Sequence, residues 1–84
     1  MPRYFLHQRN ELYVPDQEGG DFADLAAARD KAVIGTRSIL SEEVKTGSLD
    51  LCGAIEIADE SGAIVAVVPF EEIVTVRTGG RRPS

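Results

Sequence analysis

Apolar and polar positions recur with two different periods along this chain, and the switches between them mark its elements. Residues 3–8, R-Y-F-L-H-Q, mix aromatic and aliphatic side chains over the length of a strand. Arg9 and Asn10 follow, and asparagine tolerates the backbone of a tight hairpin, so Glu11 to Val14 is predicted to return as a second strand. Pro15 ends it, because proline has no N–H for the ladder. From Asp24 the period becomes helical. Leu25, Ala28, Ala32, Thr36, Ile39 and Leu40 recur at steps of three and four, with Val33 and Val44 beside them. Asp24 is suited to cap the first turn and Gly47 to take the left-handed position after the last, which predicts a helix over 24–46. Gly35 lies inside it and marks either a bend or the close approach of another backbone.

Two more strands come after the helix. Residues 53–59 place Ile55 and Ile57 on one face, and Asp59-Glu60-Ser61-Gly62 is a turn whose last residue supplies positive φ. Residues 63–68 are apolar on both faces. Pro69 stops that strand, and residues 70–76 read equally as a helical turn or a short extra strand. The predicted order is β-β-α-β-β, an α+β domain of two layers with one long helix on one face of a four-stranded antiparallel sheet. A right-handed crossover from strand two to a parallel strand three leaves room for strand one between them, giving the order 2-1-3-4. The domain spans residues 1–77, and 78–84 is expected to be a flexible basic tail.

One helix covers one face of such a sheet, so the doubly apolar strand at 63–68 predicts a second cover. Either Phe70, Ile73 and Val74 fold back over that face, or another copy of the chain does. Ile34 falls on the side of the helical wheel opposite Leu25 and Thr36. A helix of about 23 residues, roughly 34 Å long, also overhangs a strand of roughly 20 Å. These features nominate Ile34, Val65, Val67 and Phe70 as interface residues of a homo-oligomer.

Composition narrows the function classes. Eighty-four residues make one small domain with a modest, mainly aliphatic core, since the chain has five aromatic side chains and no tryptophan. Net charge is −5, and Arg77, Arg81 and Arg82 sit in the tail. The remaining six basic residues stand against fourteen acidic ones, so residues 1–76 carry −8. An acidic body argues against a nucleic-acid partner and suits a basic protein one. The opening residues hold no apolar run of signal-peptide length, no segment has the length of a membrane span, and the single cysteine, Cys52, fits a reducing compartment. The expected location is the cytoplasm.

Candidate chemistry is sparse. The stretch V-P-D-Q-E-G-G-D at 14–21 resembles an acidic cation loop only in composition. Counted from Asp16 as position 1, the EF-hand ligand at position 5 falls on Gly20, the glycine at position 6 on Asp21 and the glutamate at position 12 on Ala27. The same residues read well as a strand-to-helix bend, with Asp16 and Gly19 in the turn and Asp24 at the cap. His7 and Cys52 are too few for a zinc site, and no spacing couples His7 to Ser38, Ser41, Ser48 or Ser61 as base and nucleophile. A buried, inert Cys52 is expected. Glu42-Glu43 and Glu71-Glu72 are neighbours in sequence that point apart, and the glycine pairs lack the lysine and spacing of a phosphate loop. No cofactor or metal is expected.

Four segments taken together, M-P-R-Y-F-L-H, P-D-Q-E-G, D-L-A-A-A-R and I-E-I-A-D-E-S-G, resemble a family of small bacterial proteins catalogued as a domain of unknown function. The resemblance spans nearly the whole chain and implies no activity. Residues 11–40 also resemble part of HicB-type antitoxin domains, which implies binding to a basic ribonuclease toxin, although this chain has an added hairpin strand and no DNA-binding appendage. The leading expectation is a non-catalytic, self-associating interaction module. An antitoxin-like protein comes second and a small enzyme using His7 third.

Overall fold

Asp24 stands in extended backbone and its Oδ1 accepts the Ala27 amide at 2.9 Å, which satisfies one of the amides that a helix start leaves unpaired. The computed structural model describes residues 2–77, and the tail expected at 78–84 lies outside them. From the Asp24 cap, α1 runs over Leu25–Lys45 and buries Ala28, Ala32, Thr36 and Leu40 along one stripe. Gly47 adopts φ +87° and returns its amide to the Val44 carbonyl at 2.9 Å. The helix continues through Gly35, and apart from its chain neighbours and the adjoining helix backbone no atom of the described residues comes within 4 Å of the place its Cβ would occupy. Close approach of a second backbone therefore does not explain that glycine.

Among the described residues five strands, all antiparallel, form the sheet: β1 Arg3–Arg9, β2 Tyr13–Val14, β3 Gly20–Asp21, β4 Ala54–Ala58 and β5 Ile64–Pro69. The hydrogen-bonded path is β2-β1-β4-β5, and β3 also pairs with β1. Four strands were predicted. The fifth arises because Pro15 to Gly19 leaves the ladder and Gly20 rejoins it. The second strand also starts late, since the Leu12 amide turns back to Asn10 Oδ1 at 3.1 Å and closes a loop where Glu11 was expected in the strand.

Tyr4 and Leu6 of β1, Ile55 and Ile57 of β4, and Ala66 and Val68 of β5 pack toward α1. Alternation then places Phe5, His7, Arg9, Glu56 and Val67 on the opposite face. After β5, Phe70–Ile73 forms the single turn α2. Its Phe70 and Ile73 join the core, and the Arg37 guanidinium of α1 donates from Nε and Nη2 to the Ile73 carbonyl at 3.2 and 3.1 Å. This corrects two expectations. The alternative that Phe70, Ile73 and Val74 fold over the open face fails, since all three pack with the core on the α1 side. Phe70, nominated for an interface, is 1% exposed. Its amide donates to the Gly53 carbonyl at 2.9 Å, which pins the ring inside.

Two positions carry predictions about this core. A Cβ on Gly53 would stand 2.7 Å from the Arg9 carbonyl oxygen and 2.7 Å from the Phe70 ring, so Gly53→Ala is expected to cost about 1–3 kcal/mol. Thr36 is 1% exposed and its hydroxyl finds no hydrogen-bond partner among the described residues. Thr36→Val removes that orphan group at nearly constant volume and is expected to add about 1 kcal/mol. Urea unfolding of both variants, with unchanged slopes and midpoints moving in opposite directions, checks them.

Candidate functional site

The acidic stretch and the start of the chain meet side by side. Gln8 pairs with Val14 and Tyr4 with Gly20, so the three residues Phe5 to His7 face the five residues Pro15 to Gly19. The unmatched segment bulges out of the sheet, and the Asp16 carboxylate fills the gap. Its Oδ2 accepts the Leu6 amide at 3.1 Å, and its Oδ1 accepts the amides of Glu18 and Gly19 at 3.2 and 3.0 Å. Asp16 donates its own amide to His7 Nδ1 at 2.9 Å. Gly19 has φ +69°, and a Cβ there would meet the Phe5 ring at 2.8 Å and the Tyr4 carbonyl oxygen at 3.0 Å. Only glycine fits.

His7 is therefore engaged at Nδ1 as a hydrogen-bond acceptor. It sits in a row on the open face: its ring stacks on Phe5 at 6.4 Å and lies 5.9 Å from Tyr13. The Arg9 guanidinium covers the Tyr13 ring at 4.5 Å and also holds Glu56, Nε to Oε2, at 2.8 Å. Glu56 faces His7 across the β1–β4 ladder. The set has the residue types of an acid–base site, yet His7 and Glu56 are each tied to a structural partner. Four shallow grooves of about 180 to 340 Å³ flank α1 and its C-terminal end, and none is lined by His7 or Glu56. Among the described residues, no group of three or more His, Cys, Asp or Glu side chains comes together to hold a metal ion.

The remaining nominated residues scatter. Gly62 has φ +90° and closes the β4–β5 turn. There the Asp59 carboxylate accepts the Ser61 hydroxyl at 2.6 Å and the Ser61 and Ala63 amides. The hydroxyl, helped by those amides, holds Asp59 below the usual carboxylate range. Cys52 is exposed, which corrects the expectation of burial. Its backbone turns outward where the Asp50 carboxylate takes its amide, and a hydrogen bond to Asp50 also pushes the thiol up. Ile34 is 64% exposed on the outer side of α1, while Val65 and Val67 are 41% and 50% exposed on β5. The two groups lie on opposite outer surfaces, so they do not form one patch. The His7–Asp16 contact was not foreseen. Its signal in the sequence is the P-D-x-x-G spacing, in which a carboxylate reaches amides two and three residues ahead.

Burial works to raise the Asp16 carboxyl, but the Gly19, Leu6 and Glu18 amides, with the His7 ring, outweigh it and hold it below its ordinary value of 3.8. A carboxyl lowered by folding stabilises the fold fully above its unfolded value and loses that contribution as pH falls through the folded value. Asp16→Ala is expected to cost about 2 kcal/mol near neutral pH, discounted for its partial exposure. The gap between wild type and variant should close as pH falls below about 4. Denaturant titrations across that range check it, and a gap independent of pH would refute the role given to the carboxylate.

Among the described residues no helix is long and apolar enough to cross a membrane. No curated protein and no solved structure matches the chain, so the likeness to HicB-type antitoxins gains no support from either. Residues 3–71, most of the chain, match the family model of the domain of unknown function DUF6894, and the chain belongs to that family.

Proposed function

We propose that this protein is a non-catalytic interaction module that self-associates through the open side of its sheet, in the cytoplasm. One observation carries the reading. At the sheet edge, Ile64, Val65 and Val67 of β5 are 48%, 41% and 50% exposed, beside a face that α1 and α2 both leave uncovered. Small soluble domains seldom leave such an edge bare, because water-exposed apolar surface beside unpaired strand backbone invites pairing. The tethering of His7 by Asp16 and of Glu56 by Arg9 supports a structural use of both groups. The exposed, solitary Cys52 supports a reducing compartment.

A second reading, capture of a basic protein, has its own observation. Glu11, Glu43 and Asp50 line a groove at the C-terminal, electronegative end of α1. Affinity capture from native cells separates the two: a stoichiometric basic protein lost in Glu43→Lys favours the second.

For the first reading, light scattering after size exclusion is expected to give twice the 9.1 kDa chain mass at high micromolar concentration. Val67→Lys, which puts a charge on the exposed edge, is expected to return the monomer without changing the fold. A wild type that stays monomeric throughout sinks the proposal.

A further inference from the structure

The backbone groups along the outer edge of β5 are fixed by its register with β4. Phe70 donates its amide to the Gly53 carbonyl at 2.9 Å, and the same register continues as Ala54↔Pro69, Ile55↔Val68 and Glu56↔Val67. In an antiparallel ladder, successive residues turn their backbone groups alternately toward the partner strand and away from it. Phe70 and Val68 therefore face β4, and Val67 and Pro69 face outward. Pro69 has no N–H. Over residues 66–69 the edge thus presents two carbonyls and a single donor, the Val67 amide. The devices that natural edges use against pairing are weak here. β5 reads I-V-A-V-V-P, without a charge. Its one irregularity is the extra residue Val65, where Ile57 pairs with Ala66 and Ala58 with Ile64, and it sits two residues before Val67, at the start of the stretch that stays regular.

We infer that a second copy of this chain adds its β5 antiparallel to this edge, about a twofold axis at Val67. The inference rests on the self-association proposed above and names its geometry. At that register the two Val67 residues exchange both N–H···O=C bonds, so each free donor is satisfied. Val65 falls opposite the partner's Pro69, whose missing N–H leaves no donor without an acceptor. Identical strands run antiparallel about a twofold are complementary to themselves, which an unrelated peptide is not. Charge favours the same place. Two chains of net −5 repel each other, and β5 is an uncharged strip along which they can meet. The result is one continuous sheet with both α1 helices on the same side and both Phe5–His7–Tyr13 rows on the other.

Hydrogen exchange on the wild-type protein tests this register. The Val67 amide is expected to slow by at least about tenfold between dilute and high micromolar protein, while the Glu60 amide at the hairpin turn does not change. In a Cys52→Ser background, Val67→Cys is expected to give a covalent dimer under mild oxidation, since hydrogen-bonded pairs bring Cα atoms to about 5.5 Å. Ile34→Cys in that background is expected to stay monomeric under the same oxidation. A dimer by light scattering whose Val67 amide exchanges at the same rate at both concentrations overturns the edge pairing and leaves self-association through another surface. A monomer at both concentrations overturns both. Should Val67→Cys not fold, the wild-type exchange measurement decides alone.

Discussion

Between the β1–β2 and β1–β3 pairings, three residues face five, and no regular ladder bridges that mismatch. Asp16 does so with both carboxylate oxygens and its own amide, reaching Leu6, Glu18, Gly19 and His7. The path of the chain into the helix depends on this closure. Gly20 and Asp21 re-enter the sheet because the carboxylate turns the segment back just before them. Phe22, packed on the core and 6.3 Å from Tyr4, then sets where the chain leaves the sheet, and Asp24 starts the helix two residues later. Leu6 faces the core while its amide serves the bulge, so one residue of β1 couples the packed face to the loop.

The two faces of the sheet are held by different physics. Toward α1, the small residues Ala28, Ala32 and Thr36 let the helix lie close on Ile55, Ile57 and Val68, and the gain is burial of apolar area. On the other face the side chains lie against one another along the sheet. Phe5, His7, Tyr13, Arg9 and Glu56 form a chain of stacking, cation–π and charge-assisted contacts. Such lateral contacts order a surface without removing it from water, so that face gains rigidity and keeps its accessibility. A preordered surface loses less entropy when something docks on it.

The elements that rest on local pattern were legible in the residues. The stripe from Leu25 to Leu40 and the two strands around Gly62 needed only periodicity and turn chemistry, and they appear at nearly the predicted bounds. The features that escaped depend on pairing between distant segments. A two-residue strand such as Gly20–Asp21 has no periodicity to detect and exists only through its register with Arg3 and Tyr4. The burial of Phe70 depends on Gly53, seventeen positions earlier, leaving a space that no neighbouring residue announces. The site was half visible for the same reason: P-D-x-x-G signals a turn, but only the fold shows that His7 is the acceptor beside it.

The positions of Ile34 and Val67 limit what any partner can do. They lie on opposite outer surfaces of a two-layer domain, so one partner copy cannot bury both through a single flat interface. Pairing at the β5 edge covers Val67 and extends the sheet, yet it leaves the Phe5–His7–Tyr13 row and Ile34 in water. The assembly then carries two copies of the row on one side, set apart by the β4 and β5 strands of both copies. A self-associated form would therefore create a larger ordered surface than the monomer has, which is the property expected when assembly prepares a docking platform.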